Sequence, residues 1–203
     1  MPSRCRPEAL CRAVVSNGRA ASVRLWVRMS SGFWLGFDLG GTGVRLVVVD
    51  EQGIGTGLTM QTQEFNEQPL ERICAAAMQL MPANRQLLGI GIGSAGPIDL
   101  HSGQINNDNS LPQFSHKGLG AALARRFDVP VWIDNDAVAA GLAEFTWGLP
   151  ASPSSLLCVT LGTGVGVAMI DQGRPLRGAD AHHRPSSAGC GDLRKRCALL
   201  GRS

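Results

Sequence analysis

Tyrosine is absent from this 203-residue chain, and aromatic residues amount to only 5% of it. Proteins that bind single strands of nucleic acid stack bases on aromatic side chains, so nothing in the composition points to nucleic acid as a partner. No apolar run is long enough to span a membrane, and no secretory hydrophobic region is present. The six cysteines (Cys5, Cys11, Cys74, Cys158, Cys190 and Cys197) form no CxxC pair. Scattered cysteines without a secretion signal argue against a disulfide framework and for a reducing, cytoplasmic compartment. The P-loop signature, GxxxxGKS or GxxxxGKT, is also missing, which excludes that route to a nucleotide site.

What is present is a globular balance, 44% hydrophobic and 17% charged, suited to one large domain or to one domain and part of another. The net charge of +3 conceals an asymmetry. Residues 1–28 carry six arginines against Glu8, and residues 174–203 carry seven basic side chains against Asp180 and Asp192. The stretch between them carries six basic and thirteen acidic side chains. An acidic body with basic ends leaves any nucleic-acid reading to the ends alone.

The chain is organised around residues 33–50, FWLGFDLGGTGVRLVVVD. An apolar run at 33–37 leads to Asp38. Gly40, Gly41, Thr42 and Gly43 turn the chain, and a second apolar run follows at 44–49. Two strands joined by a glycine turn predict a hairpin. Glycines without a Cβ let backbone N–H groups approach an anion closely, and a nest of such groups binds phosphate. A carboxylate beside it suits a metal ion that bridges phosphates. The plain alternative is a hairpin whose glycines satisfy turn geometry and whose Asp38 is solvated.

Ahead of the hairpin, residues 1–28 have no periodicity. They read as a transit peptide, as an unstructured extension, or as sequence upstream of a true start at Met29, the last two being preferred. Beyond it, 55–63 predicts a third strand. Leu70, Ile73, Cys74, Ala77, Met78 and Met81 give helical spacing over 69–81, ended by Pro82 and Asn84. A buried strand is expected at 87–92, followed by a tight turn over 93–99. Clefts at the carboxyl ends of strands are where α/β sheets bind ligands. Residues 101–114 read as a polar loop, with His116 just beyond it solvated. A short helix is expected at 119–127, a buried strand at 129–133, and an alanine-rich helix at 137–147 after Asp134, Asn135 and Asp136. Strands followed by alternating helix and strand make an α/β domain. After a proline- and serine-rich boundary near 150–154 the opening signal recurs: an apolar run at 156–161, Gly162-Thr163-Gly164, and an apolar run at 165–170. Such a repeat is consistent with a duplicated fold that faces two hairpins across a cleft.

Four segments, FDLGGTGVRLVVVD, GIGIGSAGPID, VPVWIDNDAVAAGLAE and VTLGTGVGVAMIDQGRPLRGA, span residues 33–179. In that order and spacing they resemble the ROK family of sugar kinases and sugar-responsive repressors, within the actin-like ATPase superfamily. The resemblance implies an α/β actin-like ATPase (ribonuclease H-like) fold. It implies a first phosphate loop at Asp38, Gly40, Gly41 and Thr42, with Asp38 near Mg2+ through water. It implies a second phosphate loop at Gly162, Thr163 and Gly164, a sugar-side turn at Gly96 and Pro97, and an Asn135–Asp136 pair. In that pair Asn135 holds a sugar hydroxyl and Asp136 is the catalytic base. Asp136 also reads as a plain helix N-cap, since Asp-Asn-Asp is good capping chemistry. The implied reaction is ATP-dependent phosphorylation of a hexose or N-acetylhexosamine, with no membrane partner and with homo-oligomeric full-length relatives.

The resemblance ends after residue 179. The family continues with a Gly-Glu-x-Gly-His segment and a cysteine-rich zinc motif, whereas residues 180–203 read DAHHRPSSAGCGDLRKRCALLGRS. The zinc motif is not present there, and His182, His183, Cys190 and Cys197 lack the paired spacing of a zinc site. The expected organisation is a basic unstructured extension at 1–30, an N-terminal lobe at 31–150, the start of a second lobe at 151–179, and a disordered basic tail at 180–203. A truncated or frame-shifted product is therefore expected, its first lobe complete and its second largely missing, with weak ATP binding and little or no turnover alone. The alternatives are a sugar-sensing domain of a ROK-type transcriptional regulator, which residues 1–28 are too short and irregular to serve with a helix-turn-helix module, or an inactive kinase remnant.

Overall fold

The computed structural model describes residues 32–149, 153–162 and 164–177. Ten strands and three α-helices follow one another in the order β1 (Gly32–Leu39), β2 (Gly43–Asp50), β3 (Gly53–Gln61), α1 (Pro69–Leu80), β4 (Gln86–Ser94), β5 (Ile98–Asp99), β6 (Gln104–Ile105), α2 (Leu119–Phe127), β7 (Val131–Asn135), α3 (Asp136–Ala143), β8 (Ser155–Leu161), β9 (Val165–Asp171) and β10 (Arg174–Pro175). The main sheet has the order β3-β2-β1-β4-β7. Its first three strands are antiparallel, and β4 and β7 join parallel to β1. A smaller sheet, β10-β9-β8, is wholly antiparallel.

Strand period two divides the main sheet into two faces. Phe33, Leu35, Phe37 and Leu39 of β1 turn inward with Val44, Leu46 and Val48 of β2 and Ile90 and Ile92 of β4. Ile73, Ala76 and Ala77 of α1 and Leu119 and Leu123 of α2 cover that face. Burying each such Leu, Ile or Phe contributes about 1.5–3 kcal/mol. Proline at the first position of α1 suits a site whose N–H has no helical partner, and α1 ends where Met81 turns extended ahead of Pro82.

On the other face of the main sheet β4 presents glycines, Gly89, Gly91 and Gly93, beside the Trp34 and Trp132 rings, which lie 5.3 Å apart. Gly93 of β4 sits there, and a Cβ on it would lie 3.4 Å from the Cβ of Ala139 in α3. The reverse side of α3 packs on β8 and β9, where a Cβ on Gly141 would lie 3.2 Å from that of Cys158. Helix α3 therefore separates the two sheets and touches both.

Three expectations are corrected. Strand β7 begins two residues later than 129 and runs two residues further, so Asp134 and Asn135 are strand residues paired with Gly93 and Ser94. The helix expected at 137–147 is α-helical only to Ala143, followed by a π-helical turn at Glu144–Gly148. Within that turn the Thr146 hydroxyl donates to the Leu142 carbonyl at 2.7 Å, a side-chain bond that competes with the helical ladder. Residues 101–114 are no polar loop: Ile105, Leu111 and Phe114 are fully buried, with the Phe114 ring 5.3 Å from that of Phe65. Their apolar positions are too irregular to show a period, and burial comes from distant partners. Residues 1–31 and 178–203, which hold the extension and tail, lie outside the described residues.

Candidate active site

Parallel pairing of β1, β4 and β7 brings their carboxyl ends to one edge. Asp38 lies beside Gly93 and Gly93 beside Asp134; Leu39 lies beside Ser94 and Ser94 beside Asn135. Three predicted features leave the sheet at this edge: the Gly40–Gly43 turn, the Gly96–Pro97 turn and Asp136.

The first turn is pinned from below. Gly40 N–H donates to the Gly43 carbonyl at 3.0 Å, and Thr62 N–H donates to the Thr42 carbonyl at 3.1 Å. The Thr62 hydroxyl, buried, donates to the Gly40 carbonyl at 2.8 Å. Gly41 and Thr42 remain exposed. A Cβ on Gly41 would lie 3.2 Å from that of Ser110, so the glycine permits a close approach. Asp38, at the end of β1, faces Arg45 across the hairpin at 3.6 Å. Burial pushes the Asp38 carboxyl above its ordinary value; Arg45 opposes the rise, and the negative charge of Asp136 adds to it. The two carboxylates thus share one field.

The second turn contains a cis Gly96–Pro97 peptide. Ala95 N–H donates to the Leu39 carbonyl at 2.9 Å, joining this turn to the end of β1. A Cβ on Gly96 would lie 3.2 Å from Asn135 Nδ2.

At the end of β7 the three polar residues divide their work. Asn135, buried, is the helix cap: its Oδ1 accepts from Ala137 N–H at 3.0 Å and from Val138 N–H at 3.3 Å. The capping alternative raised for Asp136 therefore falls to Asn135, because β7 extends to that residue. Asp136 occupies the first helical position, where the dipole favours an anion, and its Oδ1 accepts from the adjacent Ala137 N–H at 2.8 Å. The Asp134 carboxylate accepts from Asn135 N–H at 2.8 Å and from both Arg177 terminal nitrogens, one at 3.1 Å.

The second glycine turn joins β8 to β9 in the smaller sheet. Gly162 N–H donates to the Gly164 carbonyl at 2.9 Å, and both glycines have open space where a Cβ would be. Thr163 lies outside the described residues. The hairpin is seated on the first turn of α3, since a Cβ on Gly166 would lie 2.8 Å from that of Ala137.

Sequence reasoning missed Thr62, Asn107 and Arg177. Asn107 lies in a polar run, NNDNS, in which nothing local separates it from its neighbours. Among the described residues no group of three or more His, Cys, Asp or Glu could hold a metal ion, and no helix is long and apolar enough to cross a membrane.

The β-glucoside kinase of Klebsiella pneumoniae is 33% identical to this chain over 143 residues, a match covering 70% of this chain and 48% of that protein. The glucokinase of Thermotoga maritima is 32% identical over 149 residues, covering 72% of this chain and 47% of its own length. Among solved structures, a ROK family glucokinase from Streptomyces griseus in complex with glucose and AMPPNP superposes with a TM-score of 0.66 at 29% identity. That superposition covers 76% of this chain and 49% of that one. The chain spans about half the length of the curated relatives it matches. Its fold is the actin-like ATPase fold of those sugar kinases. The ROK family model matches residues 34–185, and with the sheet order and the four motifs in place the chain belongs to the ROK family.

Proposed function

We propose that the chain carries the sugar-side part of an ATP-dependent sugar kinase, which transfers a phosphoryl group to a hydroxyl of a hexose or N-acetylhexosamine. The observation that carries this reading is the state of Asp136. Asn135 takes over the helix cap, leaving the Asp136 carboxylate at the strand-end edge, its Cα 3.7 Å from where a Cβ on Gly93 would lie, and in the field of Asp38. In this reading Asp136 orients the sugar hydroxyl and accepts its proton as the new bond to phosphorus forms, a contribution of about 10²–10⁴ in rate. Asn135 has its oxygen engaged in the cap, so it addresses the sugar as a donor through Nδ2. Gly96 and Pro97 line the sugar side.

Phosphoryl transfer needs alignment and charge neutralisation more than covalent help. Gly41 and Thr42 would offer backbone N–H groups to a phosphate, with Gly40 shaping the turn through its bond to the Gly43 carbonyl; Thr163 and Gly164 would do so from the second hairpin, shaped likewise by Gly162. Asp38 fits a Mg2+ held through water: its carboxyl is raised by burial and by Asp136, a field that a cation relieves. When bound, the ion supplies neutralisation of phosphate charge. Residues 31–150 form the first lobe in this reading, and residues 151–179 begin the second.

Calorimetric titration of a hexose panel, with a coupled assay for ATP-dependent phosphorylation, tests the reading on the 203-residue chain. Hexose binding that Asn135→Ala removes is expected, with any turnover lost in Asp136→Asn. A folded, soluble chain that binds none of the hexoses would overturn it.

A further inference from the structure

Asn107 adds a side-chain link between two turns of the site beyond the β1–β4 pairing and the Ala95–Leu39 backbone bond. Its side chain is buried. Nδ2 donates to the carbonyl of Gly96 at 2.8 Å and to that of Ala95 at 3.3 Å. Oδ1 accepts from Ser110 N–H at 3.0 Å. One end of this bridge holds the residue against which Asn135 Nδ2 rests, and the other holds the residue that Gly41 approaches. The loop that carries Asn107 is anchored from beneath by the buried Leu111 and Phe114, so the carboxamide works from a fixed base. Two carbonyls here need a donor and one N–H needs an acceptor. A carboxamide of this length offers both while staying neutral.

We propose that Asn107 is a positioning residue that sets the separation of the Gly96–Pro97 turn from the Gly40–Gly43 turn. On the sugar-kinase reading, on which its functional consequence rests, that separation is the distance between the attacking hydroxyl and the phosphate. Asn107 touches neither group; it acts through Gly96 and Ser110. Displacements of about 1 Å at such distances cost roughly 10²-fold in rate.

Asn107→Asp separates this role from simple support. The substitution keeps the size and the acceptor for Ser110 N–H, but it sets a carboxylate oxygen against two carbonyls. Lowering the pH protonates the introduced carboxyl and restores a donor. Asp108, next in sequence, His116, 3.4 Å from Asp108, and Asp38 and Asp136 at the strand-end edge are common to both proteins, so wild type at each pH is the control. In nitrogen–proton correlation spectra of the ligand-free chain, the Gly41 and Gly96 backbone amides and the Asn135 side-chain amide are expected to shift together at neutral pH. They should return toward wild type on acidification. No shift, a shift at one turn only, or a shift that acid does not reverse would overturn the proposal.

If the variant does not fold, wild type decides: the Asn107 side-chain amide protons should exchange about tenfold or more slowly than those of a free carboxamide, and free exchange would overturn the bridge. Glucose titration adds the functional arm, with an expected tenfold loss of affinity in a folded variant; unchanged affinity would overturn the role. A wild-type chain that binds no glucose would sink the sugar-kinase reading, while the spectra would still decide the placement of Asn107.

Discussion

The two glycine-turn hairpins are alike in sequence and unlike in support. Leu39 and Val44 flank the first turn as a cross-strand pair, and both are fully buried. Leu161 and Val165 flank the second turn in the same relation, and they are 81% and 57% exposed. Thr62 and Ser110 brace the first turn from outside the hairpin. Among the described residues the second turn has only its own Gly162–Gly164 bond. One face of β8 and β9 presses on α3 through Cys158, Ala168 and Ile170, while Leu157, Val159 and Met169 stay exposed on the other. The same local pattern makes a rigid feature in one place and a half-covered one in the other, because tertiary packing supplies most of the stability of a hairpin.

The largest effect should come from truncating the equivalent leucines. Leu39→Ala is expected to cost about 2–5 kcal/mol in urea unfolding, as for other fully buried leucines. Leu161→Ala should stay within about 0.5 kcal/mol, the range of surface changes. Equal losses would mean that the second hairpin is packed as tightly as the first.

An intermediate effect is expected where the second hairpin meets α3. Gly166→Val would force a side chain onto Ala137 and should cost about 1–3 kcal/mol, as overpacking does. Gly164→Ala, with open space around it, should leave thermal stability unchanged. Hydrogen exchange in β8 and β9 would show whether the Gly166 variant releases this sheet alone.

The smallest effect concerns charge. Burial and Asp136 raise the Asp38 carboxyl in the folded chain, so its ionised form weakens folding at neutral pH. Acidification through that raised value relieves the cost, which is gone below the ordinary carboxylate range. Asp38→Asn should therefore melt slightly higher than wild type at pH 7, with the difference shrinking as the pH falls. A variant that melts lower at pH 7 would show that Arg45 outweighs burial.

Much of the frame was legible in the residues. Apolar runs at 33–37 and 44–49 joined by a glycine turn, and helical spacing in 69–81, identified β1, β2 and α1. The motifs marked Asp38, Gly96, Pro97, Asn135 and Asp136, and β-sheet register brings their strand ends to one edge. The resemblance gave Asn135 and Asp136 separate roles, but which of Asp134, Asn135 and Asp136 caps α3 was not legible. All three are good cappers, and the choice followed from how far β7 pairs with β4. The buried side of 101–114 was hidden for a related reason: its partners, such as Phe65, lie far along the chain.

By itself the sequence determined the α/β order of elements, the glycine turns and the family, since these depend on periodicity, backbone freedom and residue type over short spans. Only the tertiary structure decided which carboxylate is left uncapped, that Asp134 is taken by Arg177 and that Asn107 bridges two turns. It also decided that the two hairpins are unequally covered. Those outcomes rest on strand register, burial and charge fields between residues distant in sequence, and no local pattern encodes them.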